Sequence, residues 1–423
     1  MQKDIYRTGR ICYIIEETAN YLISLLITGA YLAKLTLSLG FSDGLTALLS
    51  SFVNLGCVFQ LFGIAVFKGG SVKRKVTLFY TINELLFVLL YLTPFINVPH
   101  GIRTAIFVVA LLGGYFLLNM ATAARTNWFM QLVANEKRGS FTAFKEAVSL
   151  VSGMVFVFLL GSLVDYFDAM GNETASMIFC GGIIFFLTVV HTLSLICAKE
   201  KETEPAPRVS FFKSTKDVFS DKTIIYIIGQ GVLWACCSAF SVPFFGVYQV
   251  KELHFSMTYI GLLSIFGAIS RVLASVFLGR YADKNSFSKM LRICYFIVGA
   301  SFLATAFTTP KNGHVMFLIH NILYSAAMGG INSAQFNLVF DLVPPEKRRN
   351  VLCVKDTICG LFGFLATLLA TPLLAVLQSA EISLFGVHIY AQQVLSFISF
   401  LGAAFLVLYV SKLIQKTAVI TSE

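Results

Sequence analysis

Glu84 stands near the middle of the apolar run 76–96, with Asn83 beside it, and Arg271 lies well inside the run 256–279. Charged side chains are expensive away from water, so both are expected to serve a purpose. Taking a carboxyl out of water disfavours its charged form, which makes Glu84 a candidate to carry a proton. Glu16 and Glu17, near the mouth of the run 12–38, compete for that role. Arg271 has three readings. It binds a carboxylate or phosphate of a solute, it pairs with an internal carboxylate, or water and carbonyls satisfy it. Two further charge pairs, Lys145–Glu146 and Lys355–Asp356, fall a short way inside their runs and need partners or water. His191 and His320 have no assignable role until a partner is shown. The nine cysteines lack metal-ligand spacing, so no metal site is expected, and no other cofactor is implied.

The surrounding sequence says what must position these residues. Hydrophobic residues make up 57 % of the 423, charged residues 13 %, and there are 41 Phe. A soluble domain carries roughly 25 % charge to face water. Too little charge is present to cover this chain, so most of its outer surface must face lipid. Twelve runs are long and apolar enough to cross a bilayer: 12–38, 44–67, 76–96, 102–126, 142–164, 175–197, 222–248, 256–279, 288–308, 313–336, 354–378 and 388–411. Continuous runs exclude a barrel, whose strands alternate with a period of two. The expected fold is all-α, a polytopic membrane protein with twelve transmembrane helices in two six-helix bundles.

Lys and Arg alternate between the two sides. One side carries Lys3, Arg7 and Arg10, then Lys73, Arg74 and Lys75, and later Lys347, Arg348 and Arg349. The other bears mainly acids, such as Asp43, Asp165, Asp168 and Glu173. Both termini are therefore expected in the cytoplasm, in a cell-membrane protein. The net charge of +10 then lies against anionic lipid rather than nucleic acid. MQKDIYRTGR runs directly into the first span, so no cleaved signal peptide is expected. The polar stretch 198–221 reads as a cytoplasmic linker between an N-terminal bundle, 1–197, and a C-terminal bundle, 222–423.

The run LVANEKRG, from Leu132, returns as LVPPEKRR from Leu342, 210 positions later. The same offset lays Asn20 on Gln230, Lys145-Glu146 on Lys355-Asp356, and Val66-Phe67-Lys68-Gly69 on Val276-Phe277-Leu278-Gly279. A constant offset across loops and spans argues for duplicated halves, each with an even number of spans. The chain thus resembles the major facilitator superfamily over essentially its whole length. That family's hallmark loop, Gly-x-x-x-Asp-(Arg/Lys), is matched in the second half by GRYADKNSFSK, where Gly279, Asp283 and Lys284 fit. In the first half GGSVKRK supplies Gly69 but no acid. The resemblance implies two bundles that rock about a central site and open alternately to each side. It also implies gating by Gly69, Gly279, Asp283 and Lys284, with Lys145, Glu146, Lys355 and Asp356 at the cytoplasmic ends of their spans.

In that architecture the first and fourth spans of each half face the cavity. Polar and aromatic residues recur at helical spacing there: Glu17, Asn20, Ser24 and Tyr31; Tyr115, Asn119 and Thr122; Gln230, Trp234 and Ser238; Asn321, Ser325, Asn332 and Gln335. Asn20, Ser24, Tyr31, Asn119, Gln230, Trp234, Arg271, Asn321 and Asn332 are the expected solute-binding residues. Hydrogen bonds within a packed bundle are the alternative for each. The gathered features point to secondary active transport of a small polar organic solute, with proton coupling through Glu84, Glu17 or Glu16. Export of amphiphiles such as drugs or lipids is one alternative. A non-transporting receptor or interaction protein on a transporter scaffold is another. No Gly-x-x-x-x-Gly-Lys loop or nucleotide domain is present, and no enzyme is expected. The expected partners are a small solute, protons and the bilayer, with the monomer as the working unit.

Overall fold

A computed structural model of the chain describes residues 6–67, 71–134, 137–200, 219, 221–380, 382–384 and 387–414. Gly69 and most of the expected linker 198–221 lie outside the described residues. Among the described residues the regular structure is helical apart from one hairpin of two-residue strands, Ser383–Leu384 paired antiparallel with Val387–His388. Among the described residues ten helices are long and apolar enough to cross a membrane, or eleven with one bent pair counted as a span. The chain divides into two compact units, Met1–Pro207 with Ser256–Gly261, and Arg208–Phe255 with Leu262–Glu423.

In the first unit, α1 (Arg7–Leu26) and α2 (Gly29–Ser38) form the bent pair, with an angle of 46°. Gly29 opens α2 at φ 56°, a left-handed backbone that glycine adopts without strain. The second expected span is two helices, α3 (Asp43–Ser50) and α4 (Phe52–Val66), which meet at Ser51. With 8 and 15 residues, neither reaches the roughly 20 that a crossing needs. Then come α5 (Val72–Leu92), α6 (His100–Met130), α7 (Arg138–Ala169) and α8 (Glu173–Cys197). Ser42, Ser71 and Asn172 cap α3, α5 and α8, each side-chain oxygen accepting a backbone N–H that the helix cannot satisfy itself.

The loop before α5 lacks the acid that its counterpart has, yet a carboxylate reaches this helix start. Glu200, just beyond α8, accepts from the Val72 and Lys73 amides at 2.7 and 3.2 Å and from the Ser71 hydroxyl at 2.5 Å. Lys73 returns a bond from Nζ to the Ile196 carbonyl at 2.6 Å. A negative charge at the positive end of a helix is favourable, so Glu200 ties the end of α8 to the beginning of α5.

Small residues set the closest approaches. A Cβ on Gly63 of α4 would lie 2.2 Å from the Met120 carbonyl oxygen of α6, and one on Gly114 would lie 2.4 Å from the Phe87 ring. The core beside them is aromatic: Tyr13, Tyr80, Trp128 and Phe129 are all buried, and Tyr13 stacks on Phe129 at 4.5 Å. Residues 256–261 belong to this unit because Asp165 of α7 accepts from the Met257 and Thr258 amides at 2.8 and 2.7 Å.

The second unit holds α9 (Lys222–Ala239), α10 (Val242–Val247), the body of α11 (Met257–Lys284), α12 (Phe287–Ala306), α13 (Gly313–Leu342), α14 (Pro345–Ser379) and α15 (Ala391–Tyr409). Asp221 and Ser286 cap α9 and α12. Ile224, Ile227, Val339, Val351 and Val354 form a buried core between α9, α13 and α14. Gly329-Gly330 serves packing: a Cβ on Gly329 would sit 2.9 Å from the Arg271 carbonyl oxygen, and one on Gly330 would sit 2.4 Å from Cys294 Sγ. In both units large apolar side chains point outward; Val109 is 69 % exposed, Phe277 68 % and Phe296 73 %. Such faces belong against lipid tails.

Candidate functional site

The first unit holds a buried ion cluster assembled from five helices. Glu16 and Glu17 come from α1, Glu84 from α5, Arg125 from α6, Lys145 from α7 and His191 from α8. His191 stands between two acids. Its Nδ1 lies against Glu84 Oε1, and its Nε2 is 3.0 Å from Glu16 Oε2. Arg125 is also shared, donating to Glu16 Oε2 at 2.9 Å and pairing with Glu17 Oε2 at 2.8 Å. Lys145 Nζ is 3.0 Å from the other Glu17 oxygen. Aromatic faces hold the cations in place, with the Arg125 guanidinium 5.1 Å from the Tyr80 ring and Lys145 Nζ 4.6 Å from the Tyr13 ring.

Sequence position explains this convergence only in part. Glu16 and Glu17 are adjacent, so α1 turns one toward His191 and the other toward Lys145. Glu16, Glu84 and His191 are almost fully buried, whereas a quarter of the Glu17 side chain is open. The charge count is uneven. Three carboxylates face the two basic side chains Arg125 and Lys145, so counting each in its usual charged form and the imidazole as neutral leaves one excess negative charge. One bound proton balances it. An uncompensated buried charge costs several kcal/mol, of order 3–5 when a partner is lost.

The structure brings together Glu84, Glu16 and Glu17, which were singled out for proton coupling. Lys145, expected at a gate, turns into the same cluster, while Glu146 beside it is exposed. Arg125 and His191 were missed as members. The only signal for Arg125 was a lone cation at the end of a long apolar run. The partners of His191 lie 107 and 175 residues away.

The other expected residues of this unit divide by their bonds. Ser24 donates to the Tyr21 carbonyl, Tyr31 to the Val157 carbonyl and Asn119 Nδ2 to the Tyr115 carbonyl. Asn20 is half-buried near the cluster on α1.

In the second unit Gln230 Nε2 donates to the Tyr295 hydroxyl and Asn321 Nδ2 to the Leu263 carbonyl. Trp234 is buried among aromatic rings, 5.5 Å from Tyr295 and 6.5 Å from Tyr324. Asn332 is exposed. Lys355 is buried and donates to the Gln335 carbonyl at 3.1 Å, with Asp356 at 3.8 Å. Gly279, Asp283 and Lys284 lie in the last turns of α11, with both charged residues exposed. His320 donates from Nδ1 to the Ser301 carbonyl at 3.0 Å, and among the described residues it joins no charge pair. Among the described residues no group of three or more His, Cys, Asp or Glu is arranged to hold a metal ion.

Comparison with known proteins agrees with this architecture. The profile of the Major Facilitator Superfamily matches residues 11–367. Among solved structures, a bacterial homologue of the human lysosomal transporter Spinster is similar at a TM-score of 0.69 and 14 % identity, covering 98 % of each chain. A D-xylose–proton symporter is similar at 0.68 and 14 %, covering 94 % of this chain and 96 % of that one. The nucleoside transporter NupG is similar at 0.67 and 15 %, covering 95 % and 98 %. At such identities the likeness shows the fold. No curated protein matched. With the family profile covering most of its length, the chain belongs to the Major Facilitator Superfamily, and it is an integral membrane protein of secondary small-solute transport rather than an enzyme.

Proposed function

We propose that the protein is a proton-coupled symporter of a small polar organic solute, with Glu84, His191 and Glu16 as its proton site. The observation that carries this reading is the placement of one imidazole between two buried carboxylates. A doubly protonated ring donates from both nitrogens and joins α5, α8 and α1 at once. A neutral ring has one N–H, so it must give up one of the two donations. Proton release thereby loosens one helix contact inside the first unit, and Arg125 redistributes between Glu16 and Glu17 as the charge changes. Solute contacts are assigned to Gln230, Trp234, Arg271, Asn321 and Asn332 within the second unit, and to Asn20, Ser24, Tyr31 and Asn119 within the first. The full topology in this reading is twelve spans, both termini in the cytoplasm, a monomer, and alternating access with Asp283, Lys284, Lys355, Asp356 and Glu146 at the gates.

Purified protein in proteoliposomes tests this with a panel of labelled metabolites and an imposed pH gradient, acidic outside. Wild-type vesicles should accumulate the solute above its external concentration. Glu84→Gln and His191→Asn should each cut that accumulation by about tenfold or more, as expected for loss of one charge-assisted hydrogen bond. Equal uptake with and without the gradient would remove proton coupling.

A further inference from the structure

Arg271 is the charge that the ion cluster does not absorb. It stands in the middle of α11, fourteen residues after Met257 and thirteen before Lys284. That is about 20 Å from either end of a helix rising 1.5 Å per residue. It is half-buried, and among the described residues it makes no hydrogen bond and no ion pair. The described acids of this unit stand elsewhere: Asp221, Glu252, Asp283 and Asp341 at or near helix ends, and Asp356 beside Lys355. Pairing with an internal carboxylate, one of the three sequence readings, has no candidate among them.

The surroundings of Arg271 are built for close approach. Ser270 next to it donates to the Ile322 carbonyl, which holds this stretch of α11 against α13. Gly267 one turn earlier leaves room for Asn321 and Ser325, whose side-chain atoms would lie 2.7 Å from an added Cβ. Tyr324 lies on α13 between Ile322 and Ser325, the two positions that pack on this stretch of α11. Tyr324 in turn lies 5.4 Å from the His320 ring, nearly parallel to it, and 6.5 Å from Trp234. The segment of α11 that carries Arg271 is thus packed on the segment of α13 that carries this aromatic group, while Lys355 is committed to Gln335 and Asp356.

We infer that the solute is an organic monocarboxylate with a flat, apolar body, its carboxylate held by the two-pronged Arg271 guanidinium and its body against Tyr324 and Trp234. The guanidinium fork matches a carboxylate in both charge and spacing. A phosphate monoester, carrying about 1.5 to 2 negative charges, would leave charge unmatched by a single cation. An uncharged solute would leave the arginine unpaired within a membrane-spanning helix, which is costly. This assignment rests on the symport reading and supplies its balance: one negative charge enters with the solute and one positive charge with the proton, so the cycle is electroneutral.

Calorimetric titration of the purified full-length chain in detergent tests the assignment with no pH gradient, using benzoate, benzamide, phenyl phosphate and lactate. Benzoate should bind at least about tenfold tighter than benzamide or phenyl phosphate, the value of one charge-assisted bond. Arg271→Gln should erase that preference, and Arg271→Lys should keep part of it because the charge remains without the fork. Thermal melts of both variants establish that they are folded, and the lysine variant carries the test if the glutamine variant is not. Benzamide binding as tightly as benzoate, tighter binding of phenyl phosphate, no binding of benzoate, or an unaltered preference in folded Arg271→Gln would each overturn the inference. Tighter binding of lactate than benzoate would overturn the flat-body part. Because binding needs no gradient, loss of proton-driven uptake with benzoate binding intact would defeat only the symport reading. Proton-driven uptake of another solute without benzoate binding would defeat only this inference.

Discussion

His191 touches Glu84 and Glu16 together, and Arg125 touches Glu16 and Glu17 together, so no member of the cluster can change charge alone. Arg125→Ala would leave Glu16 buried without its permanent cation. The expected cost is about 3–5 kcal/mol of stability, read as a lowered midpoint in a detergent thermal melt, with Arg125→Lys recovering part of it. An unchanged melt would mean that water already neutralises this site. The acids here were legible in the sequence because a carboxylate inside an apolar run is conspicuous. Their partners were not, because a cation at a run's end looks like a lipid anchor. A histidine identifies its neighbours only once α8 lies against α1 and α5.

Helix packing turns on positions that only a glycine can fill. Gly63→Ala places a methyl where the Met120 carbonyl oxygen already sits and should cost about 1–3 kcal/mol. Gly182→Ala, with nothing within 4 Å of the added Cβ, should be neutral or raise the melting midpoint. Similar losses at both sites would contradict the close approach of α4 and α6. The capping of α5 by Glu200 predicts faster amide exchange at Val72 and Lys73 in Glu200→Ala, read by hydrogen–deuterium exchange, with no change near α8's own N-terminus. Helices were legible wherever an apolar run was continuous. The break at Ser51 was not, since the residues on both sides are as apolar as a single span requires. Glu200 was equally silent: in KEKETE it is one solvated charge among several, and only the turn after α8 brings it to Ser71.

At the scale of the whole molecule, the family was legible in the sequence, through the 210-residue offset and the Gly279–Asp283 loop. The halves nevertheless differ in chemistry. The first concentrates its charges into one buried cluster, and the second keeps Arg271 apart from every described acid. The offset could not show that difference, because it aligns residue types such as Asn20 with Gln230 and carries no information on what surrounds them. The gating assignment predicts that Asp283→Lys slows transport several-fold while the amount of inserted, folded protein stays the same. Unchanged rates would remove Asp283 from the gate. The account depends most on one proton moving with each solute, and the direct test is to count them. Vesicles containing the protein and a trapped pH-sensitive dye, with no gradient imposed, should acidify inside when solute is added outside, in step with labelled uptake, and Glu84→Gln should abolish the acidification. Solute entry at full rate with no proton movement would contradict it.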